Sequence, residues 1–407
     1  MSNDLKERII KEVDAVKDEI IEINDYLYKN PELGYQEFKA SKLLTSKLEE
    51  AGFEVQKGIC GMETAFKAEF KGKGSGPKVA LLAEYDALPE PVGHGCQHNL
   101  IGAISVGTGL ALSRVMSELN GSLYVFGCPA EEGVVDNAGG KVPMIDEFKE
   151  MDTAMMIHGA QFNTDGSENV LNLNREALEI TFLGKAASAA QAEFASEGIN
   201  ALEACMLFWQ ALNAYRLQMK DGARVYGIIT EGGTAVNVIP ERAVTRILIR
   251  VEDYPYFLEL VEKVKTMAEG AAMALGAKVE IRSTANRYLS FNPNQNLATA
   301  YGKNAESLGL PLFKVPAGIG GGASDMGNVS RVCPAIHPFV ASMPKGTPNH
   351  TADAADASVS ELGHKMAVLG AKALGMTAVD VLTGVIDTEV MRKEFEETTA
   401  KMLNNGS

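Results

Sequence analysis

Positive charge, cysteine and long apolar runs are all scarce in this 407-residue chain. It carries 38 Lys and Arg against 53 Asp and Glu, a formal net charge of −15. Such a field disfavours nucleic acid and anionic membrane as partners. It leaves anionic small molecules open, because one Arg or metal ion can outweigh it locally. The five cysteines, at 60, 96, 128, 205 and 333, are odd in number and scattered. They imply no disulfide framework and point to a reducing compartment, so a cytoplasmic protein is expected. No apolar stretch approaches the length that crosses a bilayer. The first residues, MSNDLKERIIKEVDAVKDEI, are charged throughout and do not read as a signal peptide. What is present is an ordinary globular composition, 46% hydrophobic and 22% charged, on a chain long enough for two domains with separate cores.

The most informative stretch is Leu81–Gly102, LLAEYDALPEPVGHGCQHNLIG. The apolar run Val79–Ala83 before and into it suits a buried strand. Glu84, Asp86, His94, Cys96, His98 and Asn99 follow among Pro89, Pro91, Gly93 and Gly95, which rule out a regular helix. The segment is therefore a loop leaving a strand end, where open α/β sheets place their sites. A thiol and an imidazole one residue apart, Cys96 and His98, suit zinc or a similar transition metal.

Two further strand exits carry comparable chemistry, and a late loop adds one more histidine. Ser122–Phe126 is an apolar strand run, and Cys128-Pro129-Ala130-Glu131-Glu132-Gly133 comes straight after it. Adjacent carboxylates point in different directions, so one can bind a metal while the other handles a proton. Met151–Ala160 reads as one strand with His158 near its end, and His350 precedes a terminal helix expected over Ala357–Leu374. Around these, an amphipathic helix is expected over Lys6–Tyr28, with Ile9, Val13, Val16, Ile20, Ile23 and Leu27 on one face. A second helix is expected over Glu37–Gly52. A third is expected over Asn99–Leu119, with Gly102, Gly107 and Gly109 packed against the sheet.

From Arg175 the pattern changes to alternating strands in the order β-α-β-β-α-β, the split-βαβ plan. Arg175 to about Arg287 therefore reads as an inserted domain. The glycine-rich stretch Gly318–Asp325 lacks the ending of a phosphate loop and reads as a tight, substrate-facing turn.

Taken together, AEYDALP, GHGCQHN, PAEEG, MMIHG, GINALEA, VNVIPE and PNHTAD resemble the zinc metallopeptidase family of aminoacylase and carboxypeptidase G. The nearest branch is the amidohydrolases akin to aminobenzoyl-glutamate hydrolase, hippurate hydrolase and indole-acetyl-amino-acid hydrolase. The resemblance runs in order from about Asn30 to Ala355. It implies an α/β fold: a mixed-sheet metal-binding catalytic domain (1–174 and 288–407) interrupted by a ferredoxin-like α+β lid and dimerisation domain (175–287). It implies that Cys96, His98, Glu132, His158 and His350 hold two divalent metals, zinc or alternatively manganese. Glu131 would be the general base and Asp86 the partner that orients the ligands. Asn237 and Arg250 match positions used on the substrate's carboxylate side, a task suited to the Arg fork. The implied activity is metal-dependent hydrolysis of the amide bond in N-acyl amino acids or short peptide-like substrates, by a homodimer or higher homo-oligomer with neither nucleic acid nor membrane as partner.

Two departures from the family pattern stand out. Gln97 replaces the glycine of C-G-H, where it distorts the loop or reaches the substrate. Ser188 stands where the lid motif carries a histidine thought to stabilise the oxyanion. With that donor absent, Gln191 or the metals would have to compensate. Two alternatives therefore accompany the main reading: a dipeptidase or aminopeptidase, and a catalytically weak metal-binding scaffold.

Overall fold

The structure, a computed structural model, describes residues 2–167, 173–315 and 322–404. In chain order its elements are α1 (Ser2–Ala15), α2 (Lys17–Lys29), α3 (Phe38–Glu50), β1 (Glu54–Lys57), β2 (Phe66–Lys71), β3 (Lys78–Ala83), α4 (His98–Ser113), β4 (Ser122–Gly127), α5 (Ile145–Lys149), β5 (Thr153–Met155) and β6 (His158–Ala160). There follow β7 (Asn174–Leu183), α6 (Ala192–Ala195), α7 (Ala201–Tyr215), β8 (Arg224–Glu231), β9 (Arg242–Val251), α8 (Tyr254–Ala274) and β10 (Lys278–Ser283). The chain ends with α9 (Gln295–Ser307), α10 (Met326–Val329), β11 (Ala335–Ile336), β12 (Phe339–Ala341), α11 (Ala352–Ser358), α12 (Glu361–Leu382) and α13 (Thr388–Asn404).

Two compact units result, Met1–Asn172 with Phe291–Ala400, and Leu173–Ser290 with Lys401–Ser407. The first is built on a six-stranded mixed sheet in the order β1-β2-β4-β3-β5-β11, parallel from β4 to β11 and antiparallel at the β1 end. β3 shows why its apolar run is continuous. Val79, Leu81 and Ala83 face a core shared with α1, α2, α4 and α12, while Ala80 and Leu82 face a second core with Phe126 and Phe148. A strand covered on both faces has no solvent side to alternate toward. The second unit has the sheet order β10-β7-β9-β8 with every neighbouring pair antiparallel. α7 and α8 pack on one face of it, around Leu178, Ile180, Phe182, Ile247 and Ile249. This is the mixed-sheet domain with a ferredoxin-like insertion that the sequence leads one to expect.

Several boundaries differ from expectation. The helix predicted over Lys6–Tyr28 is two helices that meet at Val16, whose φ of −106° and ψ of 9° leave the helical region. The apolar stripe runs through the break with Val16 itself buried, so periodicity gives no sign of it. Met151–Ala160 is likewise two strands. β5 joins the main sheet beside β3, whereas β6 pairs, among the described residues, with β12 alone, which takes His158 off the main sheet onto a separate ribbon. Of the three α4 glycines, Gly109 meets Val125 of the sheet. Gly107 instead faces Ile20 of α2, where an added Cβ would lie 2.3 Å from its side chain. The terminal helix is interrupted before Glu361, where the Ser360 hydroxyl accepts the Gly363 N–H and starts α12 afresh. Of the glycine-rich stretch, residues 318–321 lie outside the described residues.

Candidate metal centre

Two loops and two later segments meet around Asp86. The first loop leaves β3 and ends at His98, the first residue of α4; the second leaves β4 and carries Glu131 and Glu132. The buried Asp86 carboxylate joins them. One oxygen lies 2.8 Å from His98 Nδ1, and the other accepts the Glu132 backbone N–H at 2.9 Å. With Nδ1 held, His98 presents Nε2, which has no hydrogen-bond partner although it is buried. β6 brings His158, whose Nδ1 sits 2.6 Å from the Gly159 carbonyl. That carbonyl accepts only, so the proton is on Nδ1 and Nε2 keeps its lone pair, 3.6 Å from Cys96 Sγ. His350 arrives from the loop before α11, tied through its own N–H to the Gly95 carbonyl, with Nε2 3.7 Å from a Glu132 oxygen.

These contacts gather all five residues that the resemblance implies as ligands. Cys96, His98 and His158 form one group whose donor atoms lie within 4.8 Å of one another. Cys96, Glu132 and His350 form a second, on the same criterion. Cys96 belongs to both. A thiolate, imidazoles and a carboxylate in two overlapping triads suit two transition-metal ions. Nε2 of His98 and Oε1 of Glu132 are buried without hydrogen-bond partners, and such ions would engage both, His98 giving up its Nε2 proton on binding.

The surrounding charge supports the same assignment. Glu84 lies 3.3 Å from His98 Nε2 and is ion-paired to the buried Lys141, which also binds Asp325 at 2.5 Å. Burial first, then the charges of Glu84 and Glu132, push the Glu131 carboxyl well above the usual range. Burial, then Glu132, pushes the Cys96 thiol up in the same way. Asp86 goes the other way: burial would raise it, but the His98 ring beside it prevails and lowers it. Bound cations would reverse the balance at Glu131 and Cys96.

The other expected residues fall elsewhere. Gln97 is turned inward, away from solvent. It adopts the left-handed φ of 62° that a glycine would take, and it is fully buried. Its Nε2 donates to the Ala354 carbonyl at 2.7 Å, and its Oε1 accepts from Ser342 Oγ at 2.5 Å. Holding a side chain in that conformation costs about 1–2 kcal/mol, and two buried hydrogen bonds at about 1 kcal/mol each offset it. Gln97 is thus a clamp on the Cys96–His98 turn. In the second unit, Ser188 bridges to Val238, and the Ala189 N–H binds the Asn237 carbonyl, so Ser188 and Asn237 are neighbours. Arg250, on β9, lies in register between Arg175 and Arg224 on one sheet face. His94 is buried and belongs to none of the donor groups, and burial depresses it to about 3. Asp325 ends the glycine-rich stretch, whereas Lys141 and the buried His337, whose ring centroid lies 5.8 Å from that of His158, carry no signal in the sequence. Lys141 and His337 stand alone among apolar neighbours and give no local pattern.

No protein-family model matches the chain. Among curated proteins it is 34% identical to the Xaa-Arg dipeptidase of Mus musculus, over 96% of this chain and 92% of that one. It is 31% identical to a p-aminobenzoyl-glutamate hydrolase chain of Escherichia coli, over 74% of this chain and 64% of the relative. Among solved structures it superposes on a dinuclear metal binding peptidase of the M20 family from Bacillus subtilis with a TM-score of 0.67, at 22% identity, covering 91% of this chain and 99% of that one.

The shared position of Cys96 yields a prediction about metal content. Elemental analysis after remetallation and dialysis should find close to two divalent ions per chain. His350→Ala should retain about one, whereas Cys96→Ala, which cuts both triads, should retain less than one.

Proposed function

The chain belongs to the M20 family of metal-dependent amidohydrolases and dipeptidases, and on that premise we propose how its residues divide the reaction. Cys96, His98, Glu132, His158 and His350 hold two divalent ions, zinc being favoured by the thiolate and manganese the alternative. Bound there, the ions supply Lewis acidity to the substrate carbonyl and make water acidic. Glu131 takes the proton from the attacking water and delivers it to the leaving amine. Asp86 fixes the His98 tautomer and the Glu132 backbone, so both ligands keep their aim. The observation that carries this reading is the pair of triads sharing Cys96, with Glu131 close enough to His98 and Glu132 to form a further group with them.

The substrate is an N-acyl amino acid or a short peptide-like amide. A dipeptidase reading is favoured by the 34% identity to the mouse Xaa-Arg dipeptidase over nearly the whole chain. A net charge of −15 also attracts a cationic side chain. The hydrolytic relatives favour an enzyme over a mere scaffold. Turnover of a panel of acyl-amino acids and dipeptides, including Xaa-Arg, with zinc or manganese added, decides among substrates. In the second unit, Asn237 and Arg250 are assigned to the substrate's carboxylate. The five cysteines are all free, which fits the cytoplasm.

Three outcomes test this assignment. Glu131→Gln should keep both metals and lose turnover by at least about 10²-fold, while Glu132→Ala should lose metal; a Glu131→Gln enzyme with the parent rate refutes the base. Ser188→His should raise kcat, by a few-fold up to about 10²-fold, with little change in KM, because an oxyanion donor acts in the transition state. A metal-loaded Ser188→His enzyme with lower kcat contradicts this. Finally, β8 is an edge strand with Tyr226, Ile228 and Ile229 exposed at 43%, 64% and 43%, and we assign it to a homodimer contact that pairs this edge. Sedimentation should show at least a dimer for the parent chain and a monomer for Ile228→Lys.

A further inference from the structure

The residue before the proposed base has an unusual backbone. Ala130 sits at a φ of 55°, in the left-handed region that a residue with a Cβ rarely enters. Such a conformation persists only where its surroundings enforce it, and it collects at functional sites. Here three contacts enforce it. The Ala130 carbonyl accepts the Gly139 N–H at 2.6 Å. Its Cβ packs on Gly34, where any side chain would collide, since a Cβ built there lies 2.7 Å from it. Its N–H donates to Glu37 Oε1 at 2.9 Å.

Glu37 is the member of this set that has no local reason to exist. It lies 93 residues away in sequence, just before α3, and is completely buried. Burying a carboxyl is unfavourable unless its oxygens are used. The second oxygen accepts from Thr64 Oγ1 at 2.7 Å, and the Thr64 carbonyl in turn accepts from the buried Tyr85 hydroxyl at 2.7 Å. Tyr85 is the neighbour of Asp86, whose carboxylate holds the Glu132 N–H. The peptide N–H groups on either side of Glu131 are therefore each gripped by a different buried acid, Glu37 before it and Asp86 after it. Glu131 itself lies between, with one oxygen 3.9 Å from His98 Nε2.

We infer that Glu37 is a positioning residue for the hydrolysis: by holding the Ala130 N–H it fixes the left-handed turn that aims the Glu131 carboxylate. The inference rests on Glu131 being the base. Asp86 grips the ligand side of the pair and Glu37 the base side, so loss of Glu37 should disturb proton transfer and spare metal binding. Burial, then the Asp86 charge, push the Glu37 carboxyl up to about 7. A neutral amide in its place therefore resembles a state the side chain already visits near neutrality.

The test compares Glu37→Ala, Glu37→Gln, Glu37→Asp and Glu131→Gln in the full-length, remetallated enzyme, measuring kcat, KM, metal content and thermal midpoint. Glu37→Ala should lower kcat by about 10- to 100-fold, the scale of an ångström misplacement of a catalytic group, with KM and metal content within about twofold of the parent. Glu37→Gln should recover most of that loss, because its amide oxygen still accepts the Ala130 N–H and its amide nitrogen can meet Thr64. If Glu37→Ala fails to fold, Glu37→Asp carries the test, since its carboxylate is drawn back by one methylene and should lose kcat in the same range. A folded Glu37→Ala enzyme with kcat within about twofold of the parent overturns the inference. So does a loss expressed in metal content or KM, or a Glu37→Gln enzyme as slow as the alanine variant. If Glu131→Gln keeps the parent kcat, the base assignment falls and the inference with it. If Glu131→Gln is inactive while Glu37→Ala is fast, only the inference falls.

Discussion

The Asp86 carboxylate is the contact on which the rest of the centre depends. Its two oxygens join a side chain from one strand exit to a backbone N–H from the next. Remove it, and His98 loses the partner that turns Nε2 inward while the Glu131–Glu132 turn loses one of its two anchors. The fold explains why one short side chain can do this. β3 and β4 are parallel neighbours in the middle of the sheet, so their exits lie side by side at the same end. The sheet supplies proximity, and the carboxylate converts it into a fixed geometry.

Strain and charge are then concentrated where chemistry is needed. Gln97, Ala130 and His350 all take left-handed backbone conformations, and each lies within two residues of a proposed metal ligand or is one itself. Each is held by contacts from a distant segment: Gln97 by Ser342 and Ala354, Ala130 by Glu37 and Gly34, His350 by Gly95. The acids Glu84, Asp86, Glu131, Glu132 and Asp325 are all buried, with Lys141 as the internal counter-charge. So many buried acids are costly unless cations, His98 and Lys141 among them, lie close by, which favours a pocket that takes metal ions.

The sequence is legible wherever a local pattern carries the information. A buried strand followed by Cys-x-His, by Glu-Glu or by a single His marks candidate side chains, and the fold brings them together because strand exits gather residues from far apart in the chain. The alternation after Arg175 reveals the inserted sheet for the same reason, since one covered face and one open face leave a period of two. What could not be read depends on long-range contacts. The break at Val16 leaves the apolar spacing intact. Met151–Ala160 is uniformly apolar and does not show that it serves two sheets. Gln97 looks like an intrusion until Ser342 and Ala354 are seen to hold it. Glu37 and Lys141 have no nearby chemistry to mark them, and only the fold brings them to the site.

The central claim is that two triads sharing Cys96 define a two-ion centre. Anomalous scattering from crystals of the remetallated protein tests it most directly. The account predicts two peaks per chain, one on each side of Cys96 Sγ, the first within bonding distance of His98 and His158 and the second of Glu132 and His350. A single peak, or peaks that do not involve Cys96, would contradict it.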